Sequence, residues 1–100
     1  MQTDLFEWND DKAKRNLRVH GVDFQEARTI FEDPFAITIH DELHSDDEPR
    51  SITIGISLLS KVLLVVHTER KERIRIISAR KATPAERSQY ESERKAAEDE

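Results

Sequence analysis

Ile52, Ile54, Ile56 and Leu58 alternate with Ser51, Thr53, Gly55 and Ser57. Period-two alternation predicts a half-buried strand, with the isoleucines toward the core and a face of small polar residues opposite. Val62 to Thr68 is apolar on both faces, which predicts a central strand. Arg73 to Ser78 predicts another, with Ile74 and Ile76 on the core face and Arg73, Arg75 and Ile77 on the other. Leu5 to Trp8 reads as a short edge strand and Phe35 to Ile39 as a further strand. Short connections between consecutive strands make antiparallel hairpins.

Helical segments carry clear end signals. Asn9 is a good N-cap, Asp10 and Asp11 suit the positive end of the dipole, and Gly21 suits a left-handed C-terminal cap. These place a helix over about residues 10–20, with a thin apolar face of Ala13 and Leu17. Asp23-Phe24-Gln25-Glu26 has the form of a capping box. Phe24, Ala27, Ile30 and Phe31 share a face of the helix that follows, and Pro34 ends it, so the two helices form a hairpin. Thr83, Pro84 and Glu86 open a last helix that runs through Tyr90 and frays into an acidic tail over residues 91–100. The expected fold is α+β: an N-terminal helical hairpin, an antiparallel sheet of four to five strands and a C-terminal helix. Residues 1–90 form one domain.

A chain of 100 residues can bury roughly 65% of the surface it exposes when unfolded, enough for a core without staples. There is no cysteine, hence no disulfide and no thiolate metal site. The N-terminus lacks a basic region followed by an apolar run, and the longest apolar run, Val62 to Val66, is strand-sized. A cytoplasmic protein without a membrane anchor is expected.

Charge is distributed unevenly along the chain. The chain carries a net charge of -5, yet residues 70–81 hold six basic residues and one acidic one. The balancing acid lies in residues 41–48, with five acidic residues and no basic one, and in the tail. Concentrated positive charge on one element of an acidic protein points to a polyanion. Arg73 and Arg75 project from the face opposite Ile74 and Ile76, where Thr53, Gly55 and Ser57 are expected beside them. Such a face admits a phosphate backbone. The plainer reading is that these arginines keep a sheet face wet and pair with carboxylates.

Four histidines are scattered along the chain. His40 and His44 with Asp41 and Asp46 suggest a loop metal site, but that spacing serves a metal on a helix and the segment reads as loop, so no metal and no cofactor are expected. His67, at the end of the central strand, suits a general acid or base, or else a structural hydrogen bond. Glu69 is a candidate base or simply the partner of Arg70. Lys12, Asn16 and His20 share one helical stripe, which either lines a substrate cleft or is a solvated face. No nucleophile elbow and no glycine-rich phosphate loop is present.

The segments FEWNDDKAKRNLRVHGVDFQEARTIFEDP, RSITIG, VLLVVHTERKERIRIISARKAT and ERSQYE, in this order, resemble the BrnT family of bacterial type II toxins. The resemblance covers roughly residues 5–90. It implies a RelE-like ribonuclease fold and metal-independent RNA cleavage that inhibits translation and growth. It also implies a BrnA-like ribbon-helix-helix antitoxin as partner, with operator DNA contacted only through the antitoxin complex. By position, the family's functional arginines fall on Arg50, Arg70 and Arg80, and its first-helix histidine on His20. The chain departs from the family at Val19, where a lysine is common. The expected catalytic set is therefore Arg50, His67, Glu69, Arg70, Arg80 and His20, with Lys12, Arg73, Arg75 and Lys81 binding RNA. The competing reading is a non-catalytic interaction module, or a degenerate toxin that only binds its antitoxin.

Overall fold

In a computed structural model, which describes residues 5–41 and 48–99, the first helix, α1 (Asp10–His20), forms where its end signals place it. The Asn9 side chain accepts from the Lys12 amide at 3.0 Å, and Gly21, at φ 70°, donates to the Leu17 carbonyl at 2.9 Å. The helix does not dock through Leu17, which is 50% exposed; it docks through Ala13 and the buried Asn16.

The sheet explains why a polar residue takes that place. Its strands are β1 (Phe6–Glu7), β2 (Ile37–Asp41), β3 (Arg50–Ile56), β4 (Val62–Arg70) and β5 (Arg73–Lys81), in the order β1-β5-β4-β3-β2. The hairpin-linked strands β2 to β5 are antiparallel, as expected, but β1 runs parallel to β5, so the sheet is mixed. β1 reaches its neighbours through the helices, so no hairpin dictates its direction. Among the described residues it pairs only with Ile74 and Arg75, and no strand lies along the outer edge of β5 beyond them. Asn16 fills that place: its amide donates to the Ala79 and Val22 carbonyls at 2.8 and 3.0 Å and accepts from the Ala79 N–H at 3.1 Å. A buried strand edge needs such partners, and an apolar side chain offers none.

The second helix is shorter than expected. α2 covers only Phe24–Ala27, and Arg28–Glu32 continues as a 3₁₀ turn. Asp23 caps the Gln25 amide at 2.8 Å, but the capping box does not close, because Glu26 accepts from the Ser57 hydroxyl at 2.7 Å instead. Thr29 likewise donates to the Glu26 carbonyl at 2.6 Å and accepts from the Leu58 amide at 3.0 Å. These side chains tie the turn to the end of β3 in place of a regular helical ladder.

Register corrects one face assignment. Thr53, Gly55 and Ser57 are buried, and Thr53 and Gly55 pair with Val65 and Leu63 of the core. The small polar face of β3 therefore lies under the helices, and the isoleucines Ile52, Ile54 and Ile56 lie on the face that carries the arginines. The cause is close approach: a Cβ built on Gly55 would stand 3.1 Å from the Ala36 Cβ and 3.2 Å from the Ile30 Cβ and carbonyl oxygen. Gly55→Ala is expected to lower stability by about 1–2 kcal/mol through this overpacking, a drop that urea unfolding measures.

The core joins Trp8, Val22, Phe24, Ala27 and Ile30 to Leu63, Val65, Ile76 and Ala79. Trp8 meets Phe24 edge-on, with centroids 5.9 Å apart. A bulge shifts the register between Val66 and His67, so that Ser78 faces Val66 and Ile76 faces His67. Ile77 is the extra residue. Arg80 and Lys81, expected in the connection, are the last residues of β5. The last helix, α3 (Pro84–Glu98), opens with the expected capping box and continues through most of the segment expected to fray.

Candidate functional site

The bulge decides which arginines share a face. Strict alternation would put residue 80 with Ile74 and Ile76. With one residue inserted, Arg80 sits opposite Leu64 and returns to the side of Arg75, which sits opposite Thr68, and Arg73, which sits opposite Arg70. Arg50 lies one step beyond the Ser51–His67 pair, next to Thr68. Arg50, Arg70, Arg73 and Arg75 thus gather from three adjacent strands at the β4–β5 turn, and Arg80 stands further along the same face.

Carboxylates hold three of these cations. Glu48 accepts from the Arg70 Nε and Nη2 at 3.0 and 2.6 Å, Glu7 from Arg75 at 2.9 Å, and Glu86 from both terminal nitrogens of Arg80 at 2.8 and 3.0 Å. Arg70 therefore pairs with Glu48 and not with Glu69. The Arg80 hydrogen bonds hold the Glu86 carboxyl down to about 2, against the opposing push of burial. Between Arg50 and Arg75 the buried Thr68 hydroxyl donates to the Pro49 carbonyl at 2.6 Å.

The other expected site residues lie elsewhere. His67 is buried on the helix-covered face, across the sheet from the arginines, with Phe31 edge-on at 4.9 Å. Its Nε2 bonds the Thr53 hydroxyl at 2.7 Å, which bonds the Thr38 hydroxyl at 2.7 Å, and its Nδ1 has no partner among the described residues. Glu69, opposite Ile74, belongs to the same side of the sheet. Lys12 and His20 line a cleft with Arg15, Val19, Ile77 and Ser78 along the open edge of β5, while Asn16 between them is structural. Lys81 lines a different cleft, with Lys61 and Arg87. Arg15, Glu7 and Glu48 were not singled out from the sequence. Arg15 follows from its spacing to Lys12, whereas the two glutamates meet their arginines only through the fold.

Burial pushes the His67 imidazole below its usual value of 6.5, with Glu69 pulling weakly the other way. The unfolded chain then binds a proton that the folded chain refuses. Stability is expected to hold above pH 6.5 and to fall below it, by at most about 1.4 kcal/mol per pH unit. Urea unfolding at pH 7 and pH 5.5 checks this, and the drop should shrink in His67→Leu.

Among the described residues, no three histidine, aspartate or glutamate side chains come together as metal ligands. The loop site considered above includes His44 and Asp46, which lie outside the described residues. No helix among the described residues is long and apolar enough to cross a membrane.

Comparison with known proteins agrees with this architecture. The family model described as "Ribonuclease toxin, BrnT, of type II toxin-antitoxin system" matches residues 8–86. The 1.1 Å crystal structure of the Brucella abortus ribonuclease toxin BrnT superposes with a TM-score of 0.61 at 19% identity, over 79% of this chain and 97% of that one. No curated protein matches the chain. With 79 consecutive residues matched, the chain belongs to the BrnT family of ribonuclease toxins of type II toxin-antitoxin systems.

Proposed function

We propose that this toxin cuts RNA on the arginine face, with Arg50, Arg70 and Arg75 holding the scissile phosphate and Arg73 and Arg80 extending the backbone track. The observation that carries the proposal is the convergence of Arg50, Arg70, Arg73 and Arg75 from three adjacent strands. Guanidinium groups fixed on a sheet stabilise charge that develops on a phosphate without reorganising in the transition state. The 2′-oxygen attacks the adjacent phosphorus, the bond to the 5′-oxygen breaks, and the products carry a 2′,3′-cyclic phosphate and a 5′-hydroxyl. The 2′-hydroxyl proton leaves to a base, and the departing 5′-oxygen takes one up.

His67 is too deeply buried, and on the wrong face, to serve as that base. His20 is better placed, because its cleft reaches Ser78, which the bulge turns toward the arginines. Positioning by the arginines supplies the rest of the rate. Growth inhibition then follows from RNA cleavage that halts translation in the cytoplasm. A type II toxin has an antitoxin partner, here assigned as a BrnA-like ribbon-helix-helix protein that carries the operator DNA contacts of the complex.

The test incubates the purified chain with RNA in chelator and identifies the product ends. Cyclic phosphate ends are expected, absent when Arg50→Ala/Arg70→Ala replaces the chain. Products ending in 3′-hydroxyl would overturn the mechanism, and intact RNA would leave a binding module.

A further inference from the structure

Behind the arginine face, at the β1 edge, lies a cleft of about 480 Å³ with the opposite chemistry. Phe6, Phe31 and Ile74 form its floor and Leu5 its open wall, 64% exposed. Phe6 and Phe31 pack against each other with centroids 5.5 Å apart, so the floor is preformed. Among the described residues, three carboxylates stand on the rim, Glu32 from the 3₁₀ turn, Glu69 from β4 and Glu72 from the β4–β5 turn, against one cation, Arg73. An RNA phosphate is repelled there, so the RNA reading does not account for this surface.

A second observation concerns Glu72. The β4–β5 turn has Lys71 and Glu72 as its central residues, at φ 50° and 69°. Two left-handed residues make a type I′ turn, which favours asparagine and glycine. Here a lysine and a glutamate take the strain, and the tight turn sets Glu72 beside the cleft.

We propose that this cleft docks a segment of the partner antitoxin that presents an apolar side chain between basic ones. Charge complementarity selects the occupant: an apolar residue covers Leu5, Phe6 and Phe31 while flanking lysines or arginines meet the three glutamates. The proposal rests on the chain being one half of a toxin–antitoxin pair. β1 couples the two surfaces, since Phe6 faces the cleft while Glu7, on the opposite side, holds Arg75. The docked segment thus anchors the antitoxin beside Arg50, Arg70 and Arg75 and meets the arginine face at Arg73.

The probe is a short amidated peptide, Lys-Leu-Arg-Leu-Lys, titrated into the isotopically labelled full chain and followed by amide NMR shifts. Saturable shifts are expected at Leu5, Phe6, Phe31 and Ile74. Glu32→Gln/Glu72→Gln is expected to weaken binding roughly five-fold with an unchanged thermal midpoint. Absence of saturable shifts, shifts confined to the arginine face, or equal binding of Glu-Leu-Asp-Leu-Glu would overturn the proposal. RNA cleavage, measured separately without peptide, decides the ribonuclease reading on its own, so the failure of one is distinct from the failure of the other.

Discussion

Arg50→Ala/Arg70→Ala is expected to lower the single-turnover rate of RNA cleavage by roughly 10³-fold, with the thermal midpoint displaced by only a few degrees. The arginines of this face differ in how they are held. Arg70 and Glu48 have side chains 48% and 38% exposed, and an exposed pair contributes at most about 1 kcal/mol, so a phosphate can replace the carboxylate. Arg80 differs. It grips Glu86 with both terminal nitrogens, and the same Glu86 accepts from the Thr83 amide at 2.8 Å to close the cap of α3. Arg80 is thus part of the helix anchor as well as of the basic face. Arg80→Ala is expected to lose about 1–2 kcal/mol of stability along with activity, since a capping contact is worth roughly that much. The salt dependence of RNA binding provides a second measure, because each lost phosphate contact flattens the slope by about 1. If Arg50→Ala/Arg70→Ala cleaves and inhibits growth as the unvaried chain does, the assignment of the site to this face is wrong.

Element types were legible wherever a local rule acted alone. The caps of α1 and α3 rest on side chains within three residues of their targets, and those signals placed both helix starts. α2 is shorter than its sequence suggests because Glu26 and Thr29, both good helix residues, bond to Ser57 and Leu58 far along the chain. The buried face of β3 is hidden from the sequence for a related reason. Alternation shows that Ile52, Ile54 and Ile56 share a face, but not which face the helices approach. Gly55 carried the deciding information, as a glycine where a helix backbone comes close, and only the fold shows that close approach. The arginine cluster was visible as charge along the chain, whereas Arg80 reached it through a bulge that periodicity does not encode. His67 stands out in the sequence by its place at a strand end, and the fold buries it on the face of the sheet opposite the arginines. The family resemblance supplied Arg50, which periodicity alone would not have singled out, and register then set it beside Thr68 and Arg75.

Asp33→Ala is expected to cost about 3–5 kcal/mol, the largest loss of stability of any single substitution considered for this chain. Asp33 follows the 3₁₀ turn in the connection to β2, and its carboxylate accepts from that connection, from β3 and from α3. The Phe35 and Ile56 amides donate at 2.9 Å each, and the buried Tyr90 hydroxyl of α3 donates a third hydrogen bond. Removing the carboxylate strands three donors, two of them backbone. Tyr90→Phe removes one bond and leaves the backbone pairs, so a loss of about 1–2 kcal/mol is expected. Burial pushes the Asp33 carboxyl up, but its hydrogen bonds from Ile56, Tyr90 and Phe35 outweigh that and hold it below 3.8. Burial and the Asp33 hydrogen bond push the Tyr90 phenol up to about 12. For Asp33 the folded value is the lower one, so its contribution is complete above pH 3.8 and is lost as pH falls through the folded value. Glu86 has the same sign, with its contribution complete above 4.5 and lost toward about 2. Acid unfolding of the chain should therefore begin below pH 4.5, and in Asp33→Ala the part of that loss nearest pH 3.8 should vanish, because the group that titrates is gone. Thermal melts from pH 7 to pH 2.5 on both chains measure this directly. A midpoint in Asp33→Ala within two or three degrees of the unvaried chain at pH 7 would mean that α3 is held by its cap and its Arg80 contact instead.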